Sequence, residues 1–141
     1  IPQPLQALFI NTGEPPEVAE KLKILNTNFL EIVKKMHDKG ITIVAGTDMG
    51  FPGYSLDREL ELYVKAGLSP MQAIQTATIV PAKVMGIEKL SGSIEEGKRA
   101  DIIIVDGDPL QNIRNIRNVK KVIKDGSIYD PVALHHLVGF K

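Results

Sequence analysis

Not one cysteine occurs among the 141 residues, which excludes disulfide scaffolds, thiolate zinc sites and thiol nucleophiles within the chain. Charge of one sign is missing as well: 17 Lys and Arg residues balance 17 Asp and Glu. With no basic block of the kind that tracks phosphates, nucleic acid is not an expected partner. No apolar run approaches the roughly 20 residues that span a bilayer, so no membrane span is expected, and no signal-peptide pattern opens the chain. Compartment is left open. Histidine is scarce, with three in the chain and no His-x-His pair. There is no internal repeat and no low-complexity segment. The chain opens on Ile1 rather than Met, which points to a processed or cut piece of something longer.

What is present reads as alternating helix and strand, then short strands. Residues 1–17 are rich in proline (Pro2, Pro4, Pro15, Pro16) and predict an extended loop leading into a helix. From Glu17, the apolar positions Val18, Leu22, Leu25, Phe29, Ile32 and Met36 step by threes and fours and so form one helical stripe. Acids lead this helix and lysines close it, with Gly40 placed to end it. The β-branched run Ile41-Thr42-Ile43-Val44-Ala45 does not alternate, and suits a parallel strand buried on both faces. It runs into the glycine-rich loop Gly46-Thr47-Asp48-Met49-Gly50-Phe51-Pro52-Gly53. A helix follows from about Ser55, its N-cap, with Leu56, Leu60, Tyr63 and Val64 on one side and a stop at Gly67. Ser69-Pro70-Met71-Gln72 is a capping box with proline at the first helical position; Pro81 should break or restart that helix and Gly86 should end it. Beyond Gly86 the period becomes strand-like. Residues 100–105 and 119–124 predict strands, the second joined to Ser127-Ile128-Tyr129 through an Asp125-Gly126 hairpin turn. So few short strands need partners from outside the sequence given.

Functional side chains in parallel α/β architectures gather at the carboxyl ends of strands, which singles out Asp48. A carboxylate there can bind a divalent cation or take a proton from water that the cation has acidified. It can equally accept backbone N–H bonds in an Asx turn and do nothing else.

Two stretches carry a resemblance. Ala45-Gly46-Thr47-Asp48, then Leu56-Asp57-Arg58-Glu59-Leu60-Glu61-Leu62 and Ala66-Gly67-Leu68-Ser69-Pro70-Met71-Gln72-Ala73, resemble the last barrel strand and following helix of the amidohydrolase superfamily. Within it, the imidazolonepropionase-like and Xaa-Pro dipeptidase-like members are the most similar in pattern. Gly92-Ser93-Ile94-Glu95-Glu96-Gly97-Lys98-Arg99-Ala100-Asp101, running on through Ile102 to Leu110, and Val122-Ile123-Lys124-Asp125-Gly126 are similar to the return segment of that family's small β-sandwich domain.

The resemblance implies an α/β fold: the carboxy-terminal portion of a TIM (β/α)8 barrel in residues 1–88, the last strands of the β-sandwich in 89–130, and a tail in 131–141. A whole barrel of this kind takes roughly 250 residues, so the one here is partial. It implies an enzyme using one or two divalent metal ions, zinc (Zn) foremost, to hydrolyse the C–N bond of an amide, cyclic amide or dipeptide. Asp48 matches the eighth-strand aspartate that binds metal and shuttles the proton. The His-x-His pair, the fourth-strand lysine or acid and the two further histidines of the family are not in this sequence. The chain alone is therefore expected to be inactive and to bind no metal. Its expected partners are the missing N-terminal part of the same enzyme, a small-molecule or dipeptide substrate, and copies of itself in a homo-oligomer.

Other candidates weigh less. Phe51 and Tyr54 could pack on a substrate ring from the loop rim or simply anchor the loop. His37 sits near a helix end among lysines, and His135 and His136 are adjacent in the tail, which does not suit a shared ion. Lys83 and Lys98 read as structural. The competing classes are a non-catalytic binding or assembly module derived from the same fold, and an open α/β sheet with a single acidic pocket, against which the Gly97-Lys98-Arg99-Ala100-Asp101 segment argues.

Overall fold

The computed structural model describes residues 16–48 and 54–137. The proline-rich opening and the loop at 49–53, with Phe51, lie outside the described residues. Helix α1 (Pro16–Asp38) carries Glu17 in its first turn and Lys35 and His37 in its last, so its ends complement the helix dipole. It stops at Gly40, which sits at φ +71° while its N–H bonds to the His37 carbonyl and the Ile41 N–H reaches back to Met36. That pair of bonds is a Schellman motif, and the same pair closes the next helices at Gly67 and Gly86, where glycine accepts the left-handed backbone without steric cost.

Helix α2 (Tyr54–Ala66) begins one residue ahead of the serine expected to cap it, so Ser55 lies in its first turn. Helix α3 (Pro70–Thr76) has the expected capping box: the Gln72 N–H donates to Ser69 Oγ at 3.2 Å and the Ser69 N–H donates to Gln72 Oε1 at 2.8 Å. The break before α4 (Ile79–Val84) falls at Ala77 and Thr78, not at Pro81. Proline at the third position of a helix lacks only an N–H that would have had no partner in the helix, so it is accommodated.

The second half is a three-stranded antiparallel sheet in the order β1 (Ile102–Val105), β2 (Val119–Lys124), β3 (Ser127–Tyr129). Strand β1 starts two residues later than the pattern suggested and carries a register shift between Ile104 and Val105. Lys124 pairs with Ser127, and positive φ at both Asp125 (50°) and Gly126 (77°) makes the two-residue connection a type I′ turn. Between β1 and β2 runs a 3-10 helix (Ile113–Arg117), and where the sequence suggested only a tail, helix α5 (Pro131–Leu137) follows β3.

Leu60 of α2, Ala73 of α3 and Ile113 of the 3-10 helix form the core cluster, with Ala45, Tyr63, Val64, Ile74 and Ala77 packed against it. The residues expected to be a buried parallel strand behave differently: among the described residues, 41–45 form no ladder. A strand exists only beside a partner, and no other described segment lies alongside to supply one. Two successive amides are instead tied to helices, Ala45 N–H to the Thr76 carbonyl at 2.9 Å and Gly46 N–H to a side chain of α2. The described part of the α1 stripe is likewise uncovered. Leu25, Phe29 and Ile32 remain 49 %, 56 % and 50 % exposed, while Val18 and Leu22 lie outside the described side chains.

Candidate active site

Gly46-Thr47-Asp48 closes the uncoiled segment that leaves α1. Asp48 is exposed and sits at φ 46°, a left-handed conformation that non-glycine residues adopt seldom and Asp more readily than most. Among the described residues no hydrogen bond or ion pair engages its carboxylate.

The turn is fixed from beneath by α2. Glu59 Oε1 accepts the Gly46 N–H at 3.0 Å and also accepts the Tyr63 hydroxyl in a short hydrogen bond. Residues 59 and 63 are one helical turn apart and share a face. Burial and then the hydrogen bond to Glu59 push the Tyr63 hydroxyl far above its ordinary value, so it remains a donor throughout the physiological range. The other Glu59 oxygen, Oε2, is buried and has no partner among the described residues.

Another face of α2 meets the 3-10 helix. Arg117 Nε donates to Glu61 Oε1 at 2.7 Å, and Arg58 holds Glu61 Oε2 at 2.8 Å. Burial raises the Glu61 pKa, but the two guanidinium groups outweigh it and the net shift is downward. Asp57, on the same side, is shifted upward, chiefly by burial; Arg117 opposes that shift and Glu61 adds to it.

Among the described residues no group of three His, Asp or Glu side chains is placed to hold a metal ion. Asp48 supplies one carboxylate, which is not a ligand set for zinc. The histidines stand elsewhere, His37 half-buried at the end of α1 and His135 and His136 exposed on α5. His37, Ile41, Ile43, Gln72, Thr76 and Val80 help line an open cleft of about 440 Å³, but Asp48 does not. This cleft lies at the start of the 41–48 segment. Tyr54 is half-buried at the first position of α2. Lys83 is exposed on α4, and Lys98 is locked in its turn by Ser93 Oγ at 2.6 Å and Glu95 at 3.0 Å.

Sequence reasoning missed Glu59 and Tyr63 as a unit. The signal was an acid on the apolar stripe of α2, three residues after Leu56 and four before Tyr63, where a carboxylate needs a buried donor. It also missed the Glu61–Arg117 pair, whose partners are far apart in the chain.

The model of the Amidohydrolase family matches residues 15–129. This chain belongs to the amidohydrolase family. An imidazolonepropionase of Thermoplasma volcanium is 33% identical over 97 residues, covering 64% of this chain and 24% of that protein. An ochratoxinase of Aspergillus niger is 34% identical over 104 residues, 72% of this chain and 22% of that protein. A Xaa-Pro dipeptidase solved with bound methionine in its active site superposes with a TM-score of 0.67 at 41% identity, over 72% of this chain and 25% of that one. This amidohydrolase chain thus spans about a quarter of the length of the relatives it matches, and its α/β fold is a corresponding part of theirs.

Proposed function

We propose that this amidohydrolase chain is the part of a C–N-bond hydrolase that delivers the proton-carrying acid, Asp48. In this reading residues 1–88 close a (β/α)8 barrel, residues 41–45 are its eighth strand, and 89–130 complete a small β-sandwich. The observation that carries it is the placement of Asp48: exposed, in a left-handed turn, at the end of a segment whose Ala45 and Gly46 amides are held by α3 and α2. Strained backbone at a strand's carboxyl end is where functional groups concentrate.

A divalent cation, zinc foremost, supplies in such enzymes the acidification of the attacking water. The residues described here do not fit it alone, because they offer one carboxylate; the remaining ligands have to come from residues outside them. What Asp48 itself does is accept the proton of the attacking water and return it to the leaving nitrogen. The chain by itself is therefore inactive, and the small-molecule or dipeptide substrate is selected elsewhere.

The test is Asp48→Asn in the intact protein that contains this chain. Its amide cannot take a proton, and kcat is expected to fall by about 10²–10⁴-fold, the usual contribution of general acid–base catalysis. Turnover at the parent rate refutes the assignment. The assembly-module alternative separates cleanly, because it expects no hydrolysis of amide or dipeptide substrates by the intact protein at all.

A further inference from the structure

Glu59 is an expensive residue to keep where it is. Its Oε1 is doubly used, by the Gly46 N–H at 3.0 Å and by the Tyr63 hydroxyl, while its Oε2 is buried with no partner among the described residues. An unfilled buried carboxylate oxygen costs stability, and an apolar side chain on that stripe of α2 would not incur the cost. Such local violations of good packing are expected where a residue serves a site rather than the fold.

The geometry shows what it serves. Gly46 is two residues before Asp48, and its amide is tied to α2 just ahead of the left-handed turn that presents the acid. Ala45 is tied by Thr76 of α3, which leaves the turn pinned at two successive amides by two different helices. Tyr63, packed against the core, fixes the Glu59 carboxylate from one turn further along the helix. We infer that Glu59 is a positioning residue: by accepting the Gly46 amide it sets the direction in which Asp48 points, and Tyr63 sets Glu59. This rests on the catalytic role proposed for Asp48. Glu59 touches no reacting atom, so its contribution is orientation, and a misplacement of about 1 Å at a reacting group is enough for a loss of about 10²-fold.

The experiment uses the intact protein and four variants. Glu59→Ala removes the acceptor and should lower kcat by about 10²-fold with KM changed by less than about threefold, while hydrogen–deuterium exchange rises in peptides covering 41–48. Glu59→Gln keeps an oxygen for the Gly46 amide and should recover most of kcat and of the protection. Arg117→Ala breaks the ion pair on another face of α2 and controls for destabilisation of the helix; its kcat should match the parent. Parent-like kcat in Glu59→Ala, an equal loss in Glu59→Gln, or an equal loss in Arg117→Ala would each overturn the inference. Asp48→Asn separates the two levels: if it stays active, the catalytic reading of Asp48 fails, and exchange at 41–48 alone judges the anchor. If it is inactive while Glu59→Ala is active, the anchor fails and the reading of Asp48 stands.

Discussion

Gly92 shows how little freedom a single position can have. It sits at φ +98°, and a Cβ added there would lie 2.7 Å from the Ala82 Cβ and 3.0 Å from the Ile79 Cα. Backbone and buried methyl groups cannot step aside, so Gly92→Ala should destabilise by about 1–3 kcal/mol, measurable as a lower midpoint in urea. Asp101 is a second such position. It accepts the Lys124 ammonium at 2.5 Å and the Asp125 N–H at 3.0 Å, clamping the hairpin turn, and the Lys124 bond leads in holding its pKa below the ordinary value. A depressed folded-state pKa stabilises above the ordinary aspartate value near 3.9 and loses that effect as pH falls through the folded one. An NMR titration should place the Asp101 midpoint below that of a free aspartate, and Lys124→Ala should move it upward. At this scale the sequence was legible wherever the physics is local. The Ser69 capping box, the glycine stops and the Asp125-Gly126 turn each depend on neighbours within a few residues, and all formed as read. Helix α2 starts one residue ahead of Ser55, and the role of Glu59 depends on contact with Gly46, 13 residues away, which no local pattern encodes.

At the scale of elements, α2 is the hub. One side carries Glu59 and Tyr63 to the turn that presents Asp48, and another carries Glu61 to Arg117 of the 3-10 helix, with Leu60 in the core cluster beside Ile113. The chain's two halves, which the sequence separates by a change of period, are thus joined by packing and by a largely buried ion pair. Glu61 has 9% of its side chain exposed, so removing Arg117 leaves a buried carboxylate with only Arg58. Arg117→Ala should cost about 1–3 kcal/mol of stability, read from thermal or urea unfolding. Residues 41–45 have the composition of a central strand but no ladder among the described residues, because sheet structure is a property of a pair and the pattern of one strand cannot supply the other.

For the whole molecule, apolar surface decides the behaviour. Leu25, Phe29 and Ile32 of the α1 stripe stand about half exposed, and Ile103, Ile104 and Ile128 of the sheet are open as well. Full burial of each such side chain is worth about 1.5–3 kcal/mol, and contiguous faces of this kind are interaction surfaces. The chain expressed alone should therefore self-associate, eluting above monomer size and binding a hydrophobic dye. A monomer at high concentration would show that these faces need no cover.

The most direct test is crystallographic: anomalous scattering from the intact protein, grown with zinc, at the carboxyl end of residues 41–45. An ion is expected within about 2.0–2.2 Å of an Asp48 carboxylate oxygen. An ion bound without Asp48, or Asp48 turned back onto backbone N–H groups of its own loop, would contradict it.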